Sequence, residues 1–178
     1  MLRNALIGAA VFGVLGAAAA WIWTTLEFPF AIVVPAVVGW YAVTRGAFGN
    51  RKALVAGLVG GVGFTAVFIV AMFFALTDGS PVQLTGWMAA LLAAAAAGAM
   101  TGWVLGGARA SLAVAGFSAV GMLVAVAAAG LLKAAAPSAV NVAGTVQAAY
   151  FTLSMGVVAT IVGAASGAAV ARISHVDA

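Results

Sequence analysis

Residues Ala53–Leu76 read ALVAGLVGGVGFTAVFIVAMFFAL, twenty-four positions without a charge. A helix rises about 1.5 Å per residue, so this stretch covers roughly 36 Å, and a bilayer's hydrocarbon core is about 30 Å thick. It is long enough to cross. Its single polar side chain, Thr65, carries a hydroxyl that can bond the carbonyl one turn back, so no polar group is stranded in lipid. Polarity returns abruptly on both sides, with Arg51 and Lys52 before the stretch and Asp78, Gly79, Ser80 and Pro81 after it.

Moving outward, the same pattern recurs five more times, over Ala5–Thr24, Phe28–Thr44, Leu84–Gly106, Ala110–Leu132 and Val146–Ala171. The expected fold class is all-α, a polytopic bundle of six transmembrane helices in one integral membrane domain covering 1–178. Composition agrees: 66% of the residues are hydrophobic and 6% charged, with a mean hydropathy of +1.26. Soluble domains carry far more charge, roughly 25% of their residues. The spans use nearly all of the 178 residues, which leaves no stretch for a separate aqueous domain. Arg3, the apolar run to Leu15 and the cluster Ala17–Ala20 have the outline of a secretory leader. The run continues through Trp21, Ile22 and Trp23, so retention as a first span is expected.

Connections follow from turn formers. Glu27 marks the first, Gly46, Gly49 and Asn50 lie in a loop from Arg45 to Lys52, and Arg109 follows the fourth span. The longest runs from Lys133 through Pro137 and Asn141 to Thr145. Pro35 is expected to kink the second span by removing a backbone hydrogen bond. Alternate connections collect Arg3, then Arg45, Arg51 and Lys52, then Arg109, then Arg172, and the other side holds only Lys133. By the positive-inside rule both termini are expected to be cytoplasmic, in a multi-pass protein of the bacterial cytoplasmic (inner) membrane. The net charge of +4 then addresses anionic lipid and not nucleic acid. Three spans per half also permit an inverted 3+3 repeat, although the Pro-containing second span has a Pro-free fifth as counterpart.

Helices in lipid associate through close backbone approach, which small residues allow. Candidate packing positions are Ala5, Ala9 and Gly13 in the first span, Gly57 and Gly61 in the third, Gly98, Gly102 and Gly106 in the fourth, and Gly163, Gly167 and Ala171 in the sixth. With 47 alanines and 23 glycines such spacings come easily, and the all-glycine triplet in the fourth span is the rarest. Expected partners are the lipid bilayer and either other membrane subunits or a second copy.

Chemistry is read mainly from what is lacking. No span carries Asp, Glu, Lys, Arg or His near its middle, which weighs against carboxylate-coupled transport and proton relays. There are no cysteines, and the sole histidine, His175, lies in the C-terminal tail beside Asp177, so no metal or other cofactor is expected. Ser118 and Ser166 have no neighbouring base, so no catalytic residue is assigned and an enzyme is not expected. Mixed chemistry gathers only at the outer ends of the spans. Trp21, Trp23, Glu27, Trp87, Asn141, Gln147 and Tyr150 could form a pocket of aromatic walls with a few polar anchors, or act as ordinary interfacial anchors and loop residues. Trp40, Tyr41 and Trp103 read as the inner aromatic belt.

Six spans in about 180 residues, termini inside and an Ala-x-x-x-Ala seam at Ala5 and Ala9 resemble the substrate-binding S-components of energy-coupling-factor vitamin transporters. That resemblance implies an outer pocket for a small solute and a docking face on the first helix for an energy-supplying partner. The sequence therefore leads to a small-solute transport component that depends on a partner. The alternatives are an accessory subunit of a larger membrane complex, and an oligomeric channel lined by hydroxyls such as Thr101 and Ser118.

Overall fold

The computed structural model describes residues 1–26, 29–77, 82–135 and 145–174, all but one of them helical. Four helices follow one another: α1 (Leu2–Leu26), α2 (Val33–Thr77), α3 (Val82–Ala135) and α4 (Thr145–Ser174), with a 3-10 turn at Pro29–Ile32 leading into α2. Each contains a segment long and apolar enough to cross a membrane.

Two of the four are broken by glycine. In α2 the backbone leaves the helix at Gly49 (φ 76°, ψ 167°), and in α3 at Gly106 (φ −158°, ψ 24°) and Gly107 (φ 73°, ψ −155°). Gly49 and Gly107 occupy a region that essentially only glycine enters, because any Cβ would crowd the backbone there. At both places the chain turns back on itself. A Cβ added to Gly57 would lie 2.9 Å from the Val37 carbonyl oxygen, and one on Gly61 would run into the Val37 backbone, so 33–48 lies antiparallel against 50–77. Likewise a Cβ on Gly98 would lie 2.8 Å from the Val114 carbonyl and one on Gly102 would meet that of Ala110. The Ser111 hydroxyl donates to the Ala99 carbonyl at 2.8 Å, tying 82–105 to 108–135.

The sequence places an eight-residue loop over Arg45–Lys52, but helix runs up to Phe48 and resumes at Asn50. One glycine with positive φ completes the reversal. Pro35 does not kink α2. It falls in the first turn after Val33, where a missing N–H removes no hydrogen bond. Gly106 forms part of the break and does not continue the Gly98 and Gly102 seam.

α1 and α4 run antiparallel in backbone contact. The Gly8 and Gly163 backbones abut, Gly13 faces Thr160, Gly16 faces Ala159, and Gly167 lies against Asn4 and Ala5. The interior is built from small residues, with Ala56, Ala97, Val114, Ala169 and Val170 buried at one end and Ala94, Met122, Ala125 and Val158 at the other. Trp40, placed in an interfacial belt by its position in the sequence, is instead a core residue. It is 3% exposed, and the Phe12 ring meets it edge-on at 5.9 Å. Gly39 makes room for that ring, since a Cβ there would lie 2.6 Å from it. Trp103 is 64% exposed.

Five buried hydroxyls are bonded within the bundle. Thr44 and Thr65 donate to carbonyls one turn back, Thr101 reaches the Ala56 carbonyl at 3.4 Å, and Ser118 and Ser166 share a hydrogen bond of 3.1 Å between α3 and α4. In an apolar interior each hydroxyl would otherwise be an unmatched polar group. Ser118→Ala and Ser166→Ala should each lower unfolding free energy in detergent by about 1 kcal/mol, and the double variant by less than the sum. Strict additivity would mean that the pair contributes no coupling.

Candidate functional site at the aromatic end

The antiparallel pairings gather six basic residues at one end. Arg3 at the start of α1, Arg45, Arg51 and Lys52 around the Gly49 reversal, Arg109 beyond Gly107 and Arg172 in the last turn of α4 all fall at one end. Contacts tie these segments together. Lys52 Nζ donates to the Leu105 carbonyl at 2.7 Å, and a Cβ on Gly46 would lie 3.6 Å from the Arg3 guanidinium. Leu105 precedes the break, so its carbonyl lacks an intrahelical donor, and the lysine supplies both a hydrogen bond and a positive charge at a helix C-terminus. Arg45 stands over the Tyr41 ring at 5.9 Å and Lys52 over Phe48 at 5.4 Å. Both cations gain from the negative face of the ring beneath them.

The opposite end is aromatic. Trp23 of α1 meets two rings edge-on, Phe68 of α2 at 6.4 Å and Phe151 of α4 at 6.2 Å, with interplanar angles of 86° and 85°. Phe64 stacks on Phe68 at 6.0 Å with the rings 5° from parallel. Trp87 of α3 and Phe64 pack against one group of buried residues that includes Ala94, Met122 and Val158. All four helices thus send an aromatic ring to this end, in the offset and edge-on arrangements that ring quadrupoles favour. Next along α4, the Thr152 hydroxyl oxygen is buried with no hydrogen-bond partner, the one such side-chain atom among the described residues. An apolar surround makes that hydroxyl costly to leave unmatched.

Of the sequence candidates, Trp23 and Trp87 belong to this region. Tyr150 is half-buried beside Phe151 in α4, and its carbonyl accepts the Ser154 hydroxyl at 2.8 Å. Trp21 is 59% exposed and points to the surroundings. An interfacial anchor does the same. Gln147 lies in the first turn of α4, and Glu27 and Asn141 lie outside the described residues. Phe64, Phe68, Phe151 and Thr152 were not singled out by sequence. The signal for two of them was present, because Phe64 and Phe68 are four apart and share a helix face.

Among the described residues no group of carboxylates, histidines or cysteines could hold a metal ion. The aromatic end can offer stacking and apolar contact. Compared with known protein families, curated proteins and solved structures, the chain matches none.

Proposed function

We propose that the chain crosses the bacterial cytoplasmic membrane six times with both termini cytoplasmic, and that it binds a small solute at its aromatic end as the membrane component of a transporter. Two helices broken at Gly49 and at Gly106 and Gly107, with their arms folded back, support six crossings from four helices. The gathering of six cations at one end supports the orientation. The observation that carries the binding reading is the convergence of Trp23, Phe64, Phe68, Trp87 and Phe151 at the opposite end. Such rings suit a flat or apolar solute.

Energy would come from a partner, because the spans contain no mid-membrane ionisable residue for ion coupling. S-component-like docking through Ala5 has less support, since Gly167 of α4 lies against Ala5 and that surface is used inside the chain. Another face would have to dock. The second reading, an accessory subunit, is favoured by the interior of small residues and by bonded hydroxyls that leave little for a permeant to use.

Purification in mild detergent, followed by identification of bound small molecules and co-purifying proteins, separates the two. The binding reading expects one small molecule with the parent protein, lost in the Trp23→Leu, Phe68→Leu double variant and kept in Trp21→Leu. Stable partner proteins with no small molecule would replace it with the accessory reading.

A further inference from the structure

We propose that the Gly49 reversal forms a specific site for one anionic phospholipid, with its phosphate at Asn50 and Arg51 and its acyl chains in the two grooves that flank Arg51. One groove, of about 520 Å³, is lined by Val37, Val38, Tyr41 and Leu54 together with Asn50 and Arg51. The other, of about 460 Å³, is lined by Phe48, Val55 and Val104 together with Asn50, Arg51 and Lys52. Asn50 and Arg51 are thus shared by two apolar grooves, which is the shape of a two-chained lipid with one polar head.

Charge selects the occupant. Arg3, Arg45, Arg51, Lys52, Arg109 and Arg172 gather at this end. Lys52 is engaged by the Leu105 carbonyl and Arg45 lies over Tyr41, whereas no hydrogen bond or ion pair holds Asn50 or Arg51 among the described residues. A guanidinium offers paired N–H donors that match phosphate oxygens, and the asparagine amide adds another donor. Val38 and Leu54 are 40% and 52% exposed, apolar surface that a lipid tail would cover. This inference does not depend on what binds at the aromatic end.

The test is lipid retention from detergent micelles containing equal amounts of phosphatidylglycerol and phosphatidylcholine, followed by extraction and quantification. The parent protein should retain phosphatidylglycerol with about tenfold preference, and Arg51→Gln should reduce that to about twofold. Arg109→Gln, which removes an equal charge away from the grooves, should change it by less than about twofold. Val38→Trp fills a groove without altering charge and should also lower retention, which keeps the test decisive if Arg51→Gln fails to fold. Inorganic phosphate at about 10 mM should leave the lipid in place, because a free anion has no chains to occupy the grooves. Equal effects of Arg51→Gln and Arg109→Gln, unchanged retention in Val38→Trp, displacement by phosphate, or no preference in the parent would each overturn the site.

Discussion

Gly163→Val is expected to prevent the chain from reaching its folded state, with a loss of about 3 kcal/mol or more. A Cβ at this position would run into the Gly8 carbonyl and come within 2.6 Å of the Phe12 Cβ. The obstacle is the backbone of α1, so no rotamer change can clear it, and the helices would have to separate along their length. Separation forfeits the dispersion contacts that hold helices together in lipid, where no hydrophobic drive replaces them. Size-exclusion profiles and thermal unfolding in detergent would show this as aggregation or a lowered midpoint. Gly116→Ala is the matched control, because nothing lies within 4 Å of its added Cβ. That change should be neutral or stabilising by up to about 1 kcal/mol. A Gly163→Val protein as stable as the parent would mean that the two backbones do not touch.

Gly49→Ala and Gly107→Ala should each destabilise by about 1 to 3 kcal/mol for a different reason. Neither added Cβ would meet any atom within 4 Å, so the whole effect is backbone conformation. The positive φ values, 76° and 73°, suit glycine. Alanine is strained there. The unstrained alternative is continued helix through all 45 residues of α2. One rod of that length would reach about 68 Å, more than twice the hydrocarbon thickness. Such a rod cannot be accommodated by tilt. The chain has no cysteine, so one introduced at Asn50 is a clean reporter of which side this reversal occupies. Loss of its labelling by a membrane-impermeant reagent in Gly49→Ala, compared with the parent background, would mark the failed turn. Unchanged labelling together with unchanged stability would contradict the positive-φ turn.

Helices long and apolar enough to cross a membrane were legible because hydropathy depends only on composition over a window such as Ala53–Leu76. Where the chain reverses was legible to within a few residues, since Gly49 and Gly106 both stood at expected boundaries. Loop length was not, because the sequence shows a cluster of turn formers and cannot reveal that a single left-handed glycine suffices. The depth of a tryptophan also escaped sequence reading. Trp40 and Trp103 look alike as residues near a charged boundary, yet one is buried under Phe12 and the other exposed, a difference set by which helix lies opposite. Partial legibility of the aromatic end has the same cause. Trp23 and Trp87 draw notice as tryptophans near helix ends, whereas Phe64, Phe68 and Phe151 gain meaning only once α1, α2 and α4 are neighbours.

The antiparallel α1 and α4 pairing has a consequence for biogenesis. Gly8 meets Gly163 only after the rest of the bundle has been synthesised. At typical elongation rates that delay is on the order of ten seconds or more. During this interval the glycine-rich stripe of α1 has only lipid, the insertion machinery or early-made helices beside it. Because α1 is apolar along nearly its whole length, waiting in the bilayer exposes nothing that lipid would penalise heavily. Sealing the bundle is therefore a late event in maturation, and quality-control proteases that sample loose helices would have their opportunity before α4 arrives.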